Sequence, residues 1–197
     1  MRPMIRVAVL DDHPAVRAGV AAILAPEPDL VHVGSAADEE ELWTLLRRAR
    51  PSVVVLDLHH PGRNGLTLCL QIKRGLHPPA VVLYSATTPT ELVVAGAVAG
   101  ADAVVRKSAT ARELVEAIRA AAEAPDAPAP VSAQMRAEAA SRLDPADHAV
   151  LAMRLAGDSP AAIGATLGLT VAAVAERMRE IVARLMPADL MPSAEAA

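Results

Sequence analysis

Five polar residues stand where apolar runs end. Asp11 and Asp12 follow IRVAVL, Asp57 follows SVVVL, Ser85 follows VVLY, and Lys107 closes the short run that begins at Ala103. Carboxylates gathered in one pocket repel each other, so such a cluster calls for a cation. An oxygen-only ligand set with room for water suits Mg²⁺. A Mg²⁺ beside a carboxylate, with an ammonium and a hydroxyl close by, is equipment for phosphoryl transfer in which the carboxylate is the nucleophile. The metal and the lysine would neutralise the phosphoryl oxygens, and the hydroxyl would donate to one of them. Singly, each of these residues reads as a solvated surface group. Together, at the ends of successive strands, they read as a site.

The elements that must bring them together are legible in residues 1–123. Apolar runs at Ile5–Leu10, Leu30–Gly34, Ser52–Leu56, Ala80–Tyr84 and Ala103–Val105 alternate with helical stretches at Pro14–Leu24, Ala37–Arg48, Asn64–Lys73, Pro89–Val98 and Thr110–Ala122. Strict strand–helix alternation predicts an α/β fold with a parallel sheet. The near-continuous apolar strands predict a sheet covered on both faces. Ligands of such folds sit at the carboxyl ends of the strands, where the five polar residues stand. Acids open the second helix and Arg47 and Arg48 close it, matching the helix dipole. Thr110, with Glu113 three residues on, forms a capping box for the fifth.

Composition narrows the class. The chain has 197 residues, 53% apolar and 21% charged, which excludes disorder throughout. No apolar window is long enough to span a bilayer, and the N-terminus lacks a secretory pattern. One cysteine, Cys69, excludes an internal disulfide and fits the reducing cytoplasm. Cys69 and Trp43 read as packing residues, and His13 as a rim residue. A single Trp, a single Tyr and no Phe argue against stacking platforms for single-stranded nucleic acid.

Residues 5–122, within a domain expected at 1–123, resemble the receiver domain of two-component response regulators. The matching elements are Asp11-Asp12-His13-Pro14, Asp57 followed by Pro61-Gly62 and Gly65, Ser85 after VVLY, and Gly100-Ala101 leading to Lys107. The resemblance implies a flavodoxin-like (βα)5 fold, with Asp57 accepting a phosphoryl group from a histidine kinase or a small donor such as acetyl phosphate. It implies Mg²⁺ on Asp12, Asp57 and the backbone carbonyl of His59, with a weaker role for Asp11. It gives Lys107 and Ser85 the sensing of the phosphoryl group. Two positions depart from the pattern. Val104 stands where the family places an aromatic switch residue, and His59 and His60 stand where it varies or prefers Met.

An Ala/Pro-rich linker, residues 124–141, is expected to join a second domain at 142–197, with a helical stretch from Val131 to Arg142. Asp144-Pro145, Ser159-Pro160 and Thr170 start three helices. Their framework residues, among them Leu151, Ile163, Leu167-Gly168-Leu169, Val174, Ile181 and Leu185, resemble the LuxR/NarL-type helix-turn-helix, a small all-α domain. The helix from Thr170 would lie in the major groove, with Thr170, Arg177, Arg179 and Arg184 as DNA contacts and a homodimer forming on activation. The recognition positions read Ala173-Val174-Ala175-Glu176-Arg177 instead of the family's Thr-Val-Lys-x-His. Residues 131–197 carry six arginines, no lysine and eight acids, a net of −2, whereas DNA-binding surfaces are basic. Two function classes therefore stand: a phosphorylation-controlled transcription factor, not itself an enzyme, and a receiver-driven interaction protein that has lost most DNA affinity. A free-standing phosphatase or hydrolase lacks a further acid–base pair.

Overall fold

A computed structural model describes residues 4–60, 63–125 and 127–186. Pro61, Gly62 and the tail from residue 187 lie outside them. Strands β1 (Ile5–Leu10), β2 (Leu30–Ala36), β3 (Val53–Asp57), β4 (Ala80–Ser85) and β5 (Ala103–Arg106) form one parallel sheet in the order β2-β1-β3-β4-β5. This is the flavodoxin-like order, and it turns between β1 and β3. Helices α1 (Pro14–Leu24), α2 (Glu39–Ala49), α3 (Gly65–Ile72) and α4 (Thr90–Ala99) connect the strands, and α5 (Ala111–Glu123) follows the last of them. Each expected strand and helix forms, with ends shifted by one or two residues. A two-residue antiparallel ladder between His59–His60 and Arg63–Asn64 had no signal in the sequence.

Alternation along the strands builds two cores. Val7, Val9, Val53, Val55, Val82 and Tyr84 face one way, onto Val20, Leu24, Leu114 and Ile118 of α1 and α5. Ala8, Leu10, Val54, Leu56, Val81 and Leu83 face the other way, onto α2, α3 and α4. That second core does not stop at the helices. It runs on through α6 (Ala133–Ala140), α7 (His148–Leu155), α8 (Pro160–Leu167) and α9 (Val171–Leu185), so the helical unit packs on the α/β unit in one apolar continuum. Helices α8 and α9 meet at 108° across a short turn whose Gly168 has φ +68°, the geometry of a helix-turn-helix. No single helix among the described residues is long and apolar enough to cross a membrane.

The layer between the units is α4. Gly96 lies against the sheet, where a Cβ would sit 2.9 Å from Leu83 Cδ1. On another side, Glu91, Val94, Ala95 and Val98 are three and four residues apart and so share a face. Glu91 of that face pairs with Arg142 at 2.5 Å, and the Val98 carbonyl accepts from Arg154 Nε at 3.3 Å. Helix α9 packs along α4. Leu92 and Val94 to Ala99 are buried, which is why α4 shows no polar stripe.

Asp102, at the foot of β5, is a buried carboxylate the sequence reading passed over. It accepts from the backbone N–H of Val81 at 2.6 Å and from Lys73 Nζ, whose nearer contact is 2.9 Å. Asp102→Ala would take the carboxylate away from the Lys73 ammonium and from a strand N–H together. The expected loss is about 3 kcal/mol of unfolding free energy, checked by urea denaturation.

Candidate functional site

The strand ends converge as the polar residues required. Asp11 follows β1, Asp57 ends β3, Ser85 ends β4 and Lys107 follows β5. Asp11, Asp57 and Ser85 are buried, Lys107 and Asp12 are partly exposed, and His13 stands out on the rim. Gly65 permits the close fit on the α3 side. A Cβ there would sit 2.6 Å from the Asp57 carbonyl oxygen and 2.8 Å from Leu58 Cα.

One cation already spans the pocket. Lys107 Nζ lies 2.7 Å from Asp11 Oδ2 and 3.0 Å from Asp57 Oδ1. Burial pulls the Lys107 pKa down, but hydrogen bonds and charge attraction from Asp11 and Asp57 outweigh it and leave it raised. The ammonium is therefore charged at neutral pH. The backbone N–H of His13 donates to Asp11 Oδ1 at 2.9 Å, and that of His59 to Asp57 Oδ1 at 3.2 Å. Asp57 Oδ2 is buried and has no hydrogen-bond partner among the described residues. A buried carboxylate oxygen left unsatisfied is costly, and it marks the atom that a ligand or substrate would engage.

The donor set fits a hard divalent cation. Ligand atoms of Asp11, Asp12, His13 and Asp57 lie within 4.8 Å of one another. Three carboxylates at a rim open to water match the needs of Mg²⁺ better than those of a soft metal. His13 Nδ1 lies 2.7 Å from Asp12 Oδ1 and 3.3 Å from Asp11 Oδ1, nearer the acids than a plain rim position suggests. Ser85 Oγ accepts from the Thr87 N–H at 3.4 Å. The Tyr84 hydroxyl, missed in the sequence, donates to the Lys107 carbonyl at 3.3 Å and helps hold that loop. Val104 lies under α4, its Cγ2 beside Gly96. His59 is exposed, and Cys69 is buried with its thiol pushed up to about 12 by burial, an inert core residue.

The second set of residues is not brought into one free patch. Thr170 caps α9, its Oγ1 accepting from Ala173 N at 3.1 Å. Arg177 and Arg184 lie two turns apart on one side, as expected, but both reach the buried Asp147, at 2.9 and 3.0 Å. Arg179 pairs with Glu176 on its own helix. The inward side of α9, with Val174, Met178, Ile181, Val182 and Leu185, is buried. Asp147 was missed because an acid next to a helix start reads as a solvated first-turn residue.

Comparison with known proteins adds to this geometry. The model of the response regulator receiver domain matches residues 7–119. The chain is 36% identical over 120 residues to the transcriptional regulatory protein LiaR of Bacillus subtilis (strain 168), covering 61% of this chain and 57% of that protein. It is 32% identical over 116 residues to the DNA-binding transcriptional activator DevR/DosR of Mycobacterium tuberculosis, covering 59% and 54%. The chain thus spans about half the length of the curated relatives it matches. Among solved structures it is similar to a two-component response regulator of the LuxR family from Aurantimonas sp. SI85-9A1, at 30% identity and a TM-score of 0.59 over 70% of this chain and 96% of that one. RcsB from Salmonella enterica serovar Typhimurium bound to promoter rprA shares the fold across both units. Its TM-score is 0.59 at 21% identity, over 95% of each chain.

Proposed function

Because this chain belongs to the response regulator receiver domain family, we propose that Asp57 accepts a phosphoryl group and thereby controls a DNA-binding output domain that regulates transcription. The proposed division is a receiver domain at 1–123, a linker at 124–141 and a LuxR-type helix-turn-helix domain at 142–197. The observation that carries the reading is the Lys107 ammonium bridging Asp11 and Asp57, beside an Asp57 oxygen that none of the described residues satisfies.

That oxygen attacks the phosphorus of a phosphohistidine on a kinase, or of a small donor such as acetyl phosphate. An O–P bond forms and the bond to the donor nitrogen or oxygen breaks, with the electron pair leaving on the donor. Lys107 neutralises a phosphoryl oxygen, and the Ser85 hydroxyl, which accepts from the Thr87 N–H and keeps its own proton, donates to another. Asp11, Asp12, Asp57 and the carbonyl of His59 would hold Mg²⁺. When bound, that ion would neutralise charge on the phosphoryl group. Phosphate on Asp57 then shifts the balance between the docked arrangement, with α9 against α4, and an association-competent one that pairs as a homodimer on DNA. The names of the relatives, which describe transcriptional regulators, favour this over a protein-interaction role.

The test is fluorescence anisotropy of the full chain on mixed genomic DNA fragments, with and without beryllofluoride plus Mg²⁺, across a salt series. Activation is expected to tighten binding about tenfold, and salt to weaken it. An absence of binding at low salt, with beryllofluoride and Mg²⁺ bound normally, overturns the DNA-binding half of the reading.

A further inference from the structure

The seam between the two units holds a cleft of about 360 Å³, remote in role from the phosphoryl pocket. Leu70 of α3 and Met178 of α9 line it from opposite sides, and four basic residues converge on it: Lys73, Arg74, Arg154 and Arg179. No acidic residue is among the described residues that line it. Lys73 shares its charge with the buried Asp102, and Arg179 shares its own with the exposed Glu176. Arg154 is a buried arginine that donates to two backbone carbonyls, those of Val98 and Asp158, both at 3.3 Å. Ser159 and Pro160, which open α8, also border the cleft, so the positive end of that helix dipole faces it.

We propose that this cleft binds a free amphipathic carboxylate, its apolar body between Leu70 and Met178 and its head among the arginines. The volume lies within the range of small-molecule sites, and apolar walls with a few convergent polar groups are their usual construction. Charge complementarity sets the sign: a cationic or neutral amphiphile finds the same apolar walls but no partner for its head. Because the walls come from both units, the ligand binds only while they are docked. Binding therefore stabilises the docked arrangement by mass action. Ala175 borders the cleft, and its small side chain leaves the space open. The proposal does not rest on phosphorylation of Asp57 or on DNA binding.

Isothermal titration of the full chain with decanoate tests it, with decyltrimethylammonium as the control of equal length and opposite charge. Decanoate is expected to bind one per chain at about 100 µM, and the ammonium analogue at least tenfold more weakly. Arg74 is exposed, so Arg74→Glu removes charge without touching the core, and it is expected to weaken decanoate at least tenfold. Ala175→Trp fills the cavity and is expected to abolish binding. Should Ala175→Trp alter the far-ultraviolet dichroism, Arg74→Glu and Arg74→Gln decide the matter. Decanoate binding no tighter than the ammonium analogue overturns the proposal, as does wild-type affinity in the Arg74 variants.

Discussion

Incubated with acetyl phosphate and Mg²⁺, Asp57→Ala is expected to take up no covalent phosphate, where the wild-type chain takes up as much as one per molecule. Intact-mass spectrometry reads the difference directly. The effect should be total because no neighbour can stand in. Asp11 is occupied on both oxygens, by the His13 N–H and by Lys107. Asp12 lies against His13 on the rim. Asp57 offers a buried oxygen that no described residue satisfies, at the end of the strand that runs up the middle of the sheet, whereas the buried Asp12 Oδ1 sits 2.7 Å from His13 Nδ1. The substitution should leave the fold intact, since Lys107 keeps its 2.7 Å contact with Asp11. Covalent phosphate at wild-type stoichiometry in this variant would refute the site.

The second large effect concerns the seam. Val98→Glu places a carboxylate on the face of α4 that the helical unit covers, at a residue of 0% exposure. An unpaired buried carboxylate costs several kcal/mol. Undocking the helical unit relieves that cost by exposing the face to water. The expected result is cleavage between Glu123 and Ser132 at least tenfold faster under limited proteolysis, with strand and helix content retained by circular dichroism. Each factor of ten corresponds to about 1.4 kcal/mol of shifted equilibrium. Unchanged cleavage would mean that α4 and α9 do not hold the units together.

Much of this was legible in the order of residues. The strand–helix alternation and the five polar strand ends specified the sheet and its pocket, because a covered parallel sheet admits few alternatives. Caps were legible for the same local reason: Thr110, Asp144, Ser159 and Thr170 all accept the backbone bonds their positions suggested. Contacts between units were not. The helix from Thr90 reads as uniformly apolar, which signals burial without naming what buries it. Asp102 and Asp147 look like any surface acid until the chain is folded, since their partners lie 21 to 37 residues away. For the same reason, Arg177 and Arg184 read as a free basic patch in the sequence.

Their attachment to Asp147 has a consequence for any polyanion that α9 meets. Asp147 is in effect an internal counterion, held at 2.9 and 3.0 Å where phosphate oxygens would otherwise come. A phosphate that reaches either arginine exchanges one anion for another and releases little condensed salt from the nucleic acid. Each ordinary phosphate contact adds about 0.9 to the slope of log affinity against log salt. Two such contacts made by exchange would add far less, giving a shallower salt dependence than the number of arginines on α9 suggests.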